Sequence, residues 1–130
     1  MATQTNPTMT MVMQPPPLVQ KDSIITPAVE VKVQFDQNHP KRHLIGEVFA
    51  TAAVLDSNGD PVANLSYNYE GVWGARKPQT VENSAQFTFP RLWIAGSGTY
   101  QLRISAHLID TDEAQSKVLC QVDSVRFFVV

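Results

Sequence analysis

Apolar and polar side chains alternate with a period of two over much of the chain. Residues 29–35 read VEVKVQF, so Val29, Val31, Val33 and Phe35 share one side while charged and amide side chains occupy the other. Successive side chains of a strand point to opposite faces of a sheet, so this is the pattern of a strand with one buried face.

Further strands follow from the same pattern. They are predicted at residues 45–55, 62–69, 86–89, 100–108 and 118–130. A turn signal at Asn58 and Gly59 closes a hairpin. Residues 71–78 (GVWGARKP) interrupt the pattern as a loop, and a single helical turn is compatible with residues 111–117. Short strands at this spacing predict an all-β protein, an immunoglobulin-like or Rel-like antiparallel β-sandwich.

The first residues differ in composition from the rest. Residues 1–20 contain no charged residue and are rich in Thr, Met, Gln and Pro. Such a segment buries too little apolar surface to offset the entropy lost on ordering. We therefore predict a flexible tail over residues 1–20, with an extended polyproline segment at residues 15–17, and one sandwich domain over residues 21–130.

The stretch GSGTY, residues 96–100, predicts a structural corner. In immunoglobulin-like sandwiches a tyrosine near the start of a late strand hydrogen-bonds back across the corner before it. Gly96 and Gly98 permit the tight reversal that brings Tyr100 to this position. Leu102 follows two residues later, where an antibody domain has its second core cysteine.

Composition narrows the class of protein. The chain has 130 residues, 43% of them hydrophobic and 17% charged, which is typical of one globular domain. A net charge of −2 is not that of a strong nucleic-acid binder, although one local basic patch is compatible with it. The single cysteine, Cys120, rules out an intrachain disulfide and favours the cytosol or nucleus. No apolar run reaches the roughly 18 residues of a membrane span, and no signal peptide is evident at the start.

Four motifs occur in the order found in the velvet domain of fungal regulators, which the chain resembles. They are PPPLVQ at residues 15–20, FTFPRL at 87–92, GTYQL at 98–102 and SVRFFV at 124–129. Residues 49–60 are also similar to that family's strand and acidic turn. The resemblance implies a Rel-type immunoglobulin-like fold, a homodimer or heterodimer with another protein, and a regulatory role in the nucleus and cytoplasm.

The chain departs from this family at its basic positions. The family's Arg- and Cys-rich block precedes the triproline, whereas residues 1–14 contain no basic residue. Arg91 replaces the acid of the family's Phe-Pro-Asp-Leu motif, and Ala95 and Gly96 replace a basic pair. We therefore expect the framework to be shared and any DNA contact to be weak.

Two loops supply the candidate nucleic-acid-binding residues, which are Lys41, Arg42, Arg76 and Lys77. Basic residues in loops at one end of a sandwich can grip a phosphate backbone, and the alternative is two solvated polar loops. His39 and His43 flank the first pair, but Pro40 prevents a helix that would bring both onto one face. No metal site and no cofactor is predicted.

Trp73 and Trp93 are the candidate partner-binding residues. Trp93 lies outside the alternation of Phe87 and Phe89, so it either caps the core or faces a partner. Asn64 begins a glycosylation sequon, which matters only if the chain is exported.

Catalytic and calcium-binding motifs are missing from the sequence. In DSNGDP, Pro61 stands where a calcium loop needs glycine and Tyr67 where it needs glutamate, so a hairpin turn is predicted. Cys120 and His107 both lie in strand-like segments, which favours a buried thiol over a nucleophile with its base. No nucleophile elbow or phosphate loop occurs, and we predict that the protein is not an enzyme.

The sequence thus predicts a velvet-like regulatory module that dimerises or binds a partner protein, with weak DNA contact and residence in nucleus and cytoplasm. The alternative is a stand-alone immunoglobulin-like binding module, exported by an unconventional route, that recognises a protein or glycan through loop aromatics. Neither interpretation includes a membrane or a small-molecule substrate.

Overall fold

The computed structural model describes residues 7–38, 47–62, 72–74, 79–81, 83–110 and 115–130. Ten strands and no α-helix lie within these ranges. In chain order the strands are β1 (Thr8–Met13), β2 (Leu18–Val19), β3 (Val29–Gln34), β4 (Val48–Leu55), β5 (Val72–Gly74), β6 (Gln79–Val81), β7 (Ser84–Phe89), β8 (Gly98–Asp110), β9 (Gln115–Asp123) and β10 (Phe127–Val129).

The strands form two sheets with immunoglobulin-like topology. A four-stranded sheet has the order β1-β3-β7-β6, and a six-stranded sheet has the order β2-β10-β8-β4-β5, with β9 also paired to β8. Reading β1, β3, β6 and β7 as strands A, B, D and E reproduces the A-B-E-D sheet of an immunoglobulin domain, and β4, β8 and β9–β10 take the places of C, F and G. The predicted all-β sandwich is confirmed. One pair, β2 with β10, is parallel rather than antiparallel.

The core lies between the inward faces of the two sheets. Val29, Val31 and Val33 of β3 are fully buried, and they face residues such as Leu102 and Ile104 of β8, which are also fully buried. The polar residues that alternate with these valines along β3 point outward. On that face Gln86 and Thr88 of β7 donate hydrogen bonds of 3.2 and 3.4 Å to the carboxylate of Glu30. The period-two pattern therefore identifies the buried face correctly.

Part of the predicted flexible tail belongs to the sandwich. Strand β1 pairs with β3 from Thr8 opposite Gln34 to Met13 opposite Glu30, and its methionines at 9 and 11 pack against the core. Strand β2 pairs with β10. Residues 8–19 therefore order because the edges of β3 and β10 offer main-chain partners, which composition alone does not reveal. Between β1 and β2 the three prolines carry the chain from one sheet to the other.

Two other segments differ from their predicted conformation. Residues 72–74, predicted as part of a loop, form β5 and pair with Thr51–Ala53 of β4. Residues 115–117, predicted as part of a helical turn, begin β9 and pair with β8. Both segments are short, so the neighbouring strand decides their conformation more than local propensity does.

The predicted hairpin turn follows β4. The carboxylate of Asp56 accepts hydrogen bonds from the backbone N–H of Asn58 (2.8 Å) and of Asp60 (3.0 Å), and Gly59 has a φ of 84°. Pro61 then bridges to Leu55. Apart from Val62, the strand predicted at residues 62–69 lies outside the described residues.

The corner before β8 has the geometry that the sequence predicts. Tyr100 is 6% exposed, and its hydroxyl donates to the carbonyl of Ser97 at 3.3 Å. Gly98 has a φ of 155°, and a Cβ placed on it would lie 3.2 Å from the ring and hydroxyl of Tyr100. Gly96 lies in the same bend without a positive φ. Gly98 is therefore the glycine that this corner requires.

Ser124 joins the two halves of the last strand to β8, a role that the sequence analysis missed. Its side chain is 2% exposed, and its hydroxyl accepts a hydrogen bond from the N–H of Leu102 at 2.9 Å and donates to the carbonyl of Val125 at 2.8 Å. The Ser124 N–H donates to the carbonyl of Leu102 at 2.8 Å. The hydroxyl thus replaces a carbonyl that the ladder lacks between β9 and β10.

Candidate binding site at the Trp93 corner

The structure describes only some of the predicted site residues. Lys41, Arg42, Arg76 and Lys77 lie outside the described residues, so the nucleic-acid contacts at these positions stay a prediction. Trp73 lies in β5, opposite Ala52 of β4.

Trp93 lies on a segment that is fixed at one end of the sandwich. Residues 90–97 connect β7 to β8 and run beside residues 21–26, which precede β3. Backbone hydrogen bonds join the two segments, from the N–H of Asp22 to the carbonyl of Ile94 (2.9 Å) and from the N–H of Ile25 to the carbonyl of Leu92 (2.8 Å). The side chains of Ile25, Leu92 and Ile94 are buried in the core. These contacts hold the residues between them in place.

The side chains that lie next to these buried residues in the two segments consequently face outward. Leu92 and Ile94 point into the core, so Trp93 between them lies at the surface and is half-buried. Ile24, next to the buried Ile25, is 51% exposed. Arg91 is also exposed, as is Asp22, whose φ is 61°. This conformation is tolerated best by Gly, Asn and Asp, which explains an aspartate at this position.

Four of these side chains line an open cavity of about 530 Å³. They are Asp22, Ile24, Arg91 and Trp93. A second cavity, of about 200 Å³, lies along residues 16–26 and includes Pro16, Leu18 and Ile24. Because Ile24 lines both, the two cavities adjoin, and together they are referred to here as the Trp93 groove. The larger one falls within the range of about 300–1,000 Å³ that is usual for ligand sites.

Among its described residues, the groove holds one cation and one anion, and these two are not paired with each other. In the described parts of the chain, the guanidinium of Arg91 and the carboxylate of Asp22 form no ion pair and no side-chain hydrogen bond. By contrast, Arg103 and Asp123 form a bidentate ion pair on the outer face of the six-stranded sheet. Its N–O distances are 2.9 Å (Nε to Oδ1) and 3.1 Å (Nη2 to Oδ2). The groove charges are therefore available to a ligand.

A second surface cluster lies on the outer face of the six-stranded sheet. The rings of Phe49 and His107 stack with centroids 4.9 Å apart, and Nε2 of His107 lies 2.9 Å from the hydroxyl of Thr51. Burial lowers the pKa of His107. The cluster unites β4 and β8, so its residues are not neighbours in the sequence, and only the strand register reveals it.

Cys120 and His107 do not form a thiol–base pair. Cys120 lies opposite Ala106, whose side chain is buried, and packs against the core. His107 is the next residue after Ala106 and points to the other face of the sheet. Burial raises the pKa of Cys120 to about 11, so the group remains a thiol at neutral pH.

Metal and membrane sites are not found in the described ranges. No three His, Cys, Asp or Glu side chains lie close enough together there to hold a metal ion. Nor does any helix within those ranges have the length and apolar character needed to cross a membrane.

No protein-family model matches the chain, and no curated protein matches it. Among solved structures, it is similar to a ceramidase complexed with C2, with a TM-score of 0.40, 14% identity and coverage of 93% of this chain and 18% of that chain. It is also similar to the neutral ceramidase from Pseudomonas aeruginosa, with a TM-score of 0.39, 14% identity and coverage of 92% and 19%. The chain thus spans less than a fifth of the length of either ceramidase.

Proposed function

We propose that the protein is an immunoglobulin-like binding module that binds a partner protein through the Trp93 groove. The observation that carries this proposal is an open cavity in which a half-buried indole lies beside a guanidinium and a carboxylate, neither of which has a partner among the described residues. Trp and Arg are the side chains most enriched among residues that dominate interface energies. A concave surface with few polar groups is also the usual form of a binding site.

The rigidity of the groove supports the proposal. The two backbone hydrogen bonds and the buried side chains of Ile25, Leu92 and Ile94 hold the groove segments in one conformation. A surface that is already ordered loses less entropy when a partner binds. The groove therefore combines the exposure of a loop with the order of the sheet beneath it.

The proposal predicts a large effect of one substitution. Removing an aromatic anchor from the centre of an interface costs about 2 kcal/mol or more, which corresponds to roughly 30-fold in Kd. Trp93→Ala is thus expected to weaken partner binding by at least this factor. The variant should stay folded, because Trp93 is only half-buried and the neighbouring buried residues are unchanged.

The experiment is a selection of linear peptides from a displayed random library on the wild-type protein, followed by measurement of Kd for the enriched peptides. Phe49→Ala is the matched aromatic control. Phe49 lies opposite His107 on β8, about 30 Å along the strand from Gly98 and the Trp93 corner. Enriched peptides that bind Trp93→Ala as tightly as wild type would contradict the proposal.

Fluorescence provides an independent measurement of contact. Trp73 and Trp93 are the two tryptophans of the chain, so Trp73→Phe leaves Trp93 as the only indole. We expect an enriched peptide to shift the emission of this variant and to protect it from acrylamide quenching. Unchanged emission at saturating peptide would show that the peptide binds elsewhere.

A second proposal concerns the biological setting, and it is supported by the ordered velvet-like motifs at residues 15–129. In this setting the module acts as a dimerising regulator in nucleus and cytoplasm, with weak DNA contact through Lys41, Arg42, Arg76 and Lys77. Binding through few phosphates is weak and steeply salt-dependent, with a slope of roughly −0.9 per phosphate. Gel-shift titration at low and physiological salt tests it, with alanine at all four positions as the comparison. No retardation at low salt would refute the DNA component.

A further inference from the structure

We infer that the Trp93 groove takes an extended peptide in which an apolar side chain stands between an acidic and a basic one. This inference rests on the proposed function and names the chemistry of the partner. It follows from the charges of the groove, its exposed apolar side chains and the open edge of β2.

The charges of the groove favour a ligand that carries matching charges. Covering the cavity with an uncharged segment would remove both Arg91 and Asp22 from water without giving either a partner, which is unfavourable. A ligand of one sign would satisfy one of the two and repel the other. A segment with an acid toward Arg91 and a base toward Asp22 satisfies both.

The groove also contains exposed apolar side chains, next to polar residues such as Gln20 and Ser23. Ile24 lines both cavities, and Leu18, which is 61% exposed, lines the smaller one. Leu18 also lies opposite Phe128, whose side chain is 56% exposed. An apolar ligand side chain placed here would cover surface that is otherwise in contact with water.

The edge of β2 favours an extended ligand. The carbonyls of Pro17 and Val19 accept hydrogen bonds from β10. Main-chain groups of alternate residues point to opposite sides of a strand, so the N–H and C=O of Leu18 point away from β10, and β2 has no strand on that side among the described elements. An extended peptide can pair with these groups, whereas a helix cannot. Because β2 is two residues long, such pairing is short, and the side chains must supply most of the affinity.

Reversal of charge by substitution, on the protein and on the peptide, is the central test. The probe is a peptide enriched on the wild-type protein, together with two variants in which its acid is changed to Lys or its base to Glu. We expect Arg91→Glu to weaken binding of the parent peptide by roughly fivefold or more. The same protein variant should bind the peptide with Lys in place of the acid more tightly than the parent peptide. Asp22→Asn, which keeps a residue suited to the positive φ, should remove the preference for the basic residue. Rescue of Arg91→Glu by the complementary peptide separates direct pairing from a change in folding.

Backbone methylation of the peptide tests its conformation on unchanged protein. A methyl group placed on successive peptide nitrogens in turn should weaken binding at the nitrogen that pairs with Leu18 and leave the adjacent positions nearly unchanged, because only one side of an extended peptide faces β2. Equal losses at every position would overturn the extended arrangement.

The outcomes separate this inference from the proposed function. Trp93-dependent peptides without charged residues, or with affinities unaffected by Arg91→Glu and Asp22→Asn, would overturn the inference and leave the proposed function standing. Absence of Trp93-dependent peptide binding would overturn both. Trp93-dependent binding to an array of immobilised glycans, without any peptide enrichment, would assign the groove to carbohydrate and likewise overturn both.

Discussion

Substitution of Gly98 by alanine should destabilise the protein strongly, because two separate costs meet at this residue. Its φ of 155° lies in a region that L-residues rarely adopt, and holding a residue there costs about 1–3 kcal/mol. The added Cβ would also lie 3.2 Å from Cζ and the hydroxyl oxygen of Tyr100 and 3.3 Å from Cε2. Tyr100 is buried and lies against the tilted ring of Phe127, with ring centroids 6.5 Å apart, so it has little room to move.

Gly59 provides a control for the backbone cost. Its φ is 84°, so alanine is unfavourable there too, but no atom lies within 4 Å of the added Cβ. We expect Gly59→Ala to cost about 1 kcal/mol. Gly98→Ala should cost about 2–4 kcal/mol, because the crowded contact with Tyr100 is added to the backbone strain.

Urea unfolding followed by circular dichroism measures both free energies by linear extrapolation. Tyr100→Phe should cost about 1 kcal/mol or less, since the hydrogen bond to Ser97 is long at 3.3 Å. Combined with Gly98→Ala it should recover only part of the loss, because the ring carbons remain in place. If Gly98→Ala costs no more than Gly59→Ala, the close packing of Tyr100 over Gly98 is wrong.

Three further predictions concern Ser124, His107 and Cys120. Ser124→Ala should destabilise the fold by about 1–3 kcal/mol in the same unfolding assay, because the buried N–H of Leu102 loses its acceptor, and a neutral result would refute that role. Burial lowers the pKa of His107 in the folded state, so the unfolded chain binds more protons at acidic pH. The free energy of unfolding should therefore fall as the pH drops through the ordinary histidine pKa of about 6.5. This part of the pH dependence should be absent in His107→Asn. Cys120, with a pKa of about 11, should react with iodoacetamide at pH 7 far more slowly in the folded protein than in urea, and equal rates would show that the thiol is exposed.

Local patterns in the sequence predicted much of the sandwich correctly. The alternation around Val31 and Phe87 identifies the buried faces, because the side-chain period of a strand is a property of its own backbone. The turn at Asp56 and the reversal at Gly98 are also local, since each depends on residues within a few positions. These features require no knowledge of distant partners.

Pairing between distant segments was not available from the sequence. Strand β1 was predicted as part of a flexible tail because residues 1–20 carry no charge and are rich in Thr, Met, Gln and Pro, yet the open edge of β3 supplies the hydrogen bonds that order it. The role of Ser124 also depends on distant pairing, because its hydroxyl accepts the hydrogen bond of Leu102 only where the last strand breaks beside that residue.

In the candidate site, too, some residues were identified from the sequence and others only from the tertiary structure. The sequence by itself identified Trp93 as an aromatic outside the strand alternation and marked Arg91 as a departure from the velvet pattern, and both are local observations. Only the tertiary structure decided that Asp22 and Ile24 lie beside them, since backbone hydrogen bonds between two loops distant in the chain create the groove. The physical reason is that alternation determines which face of its own strand a side chain occupies, whereas a binding surface depends on which strands and loops become neighbours.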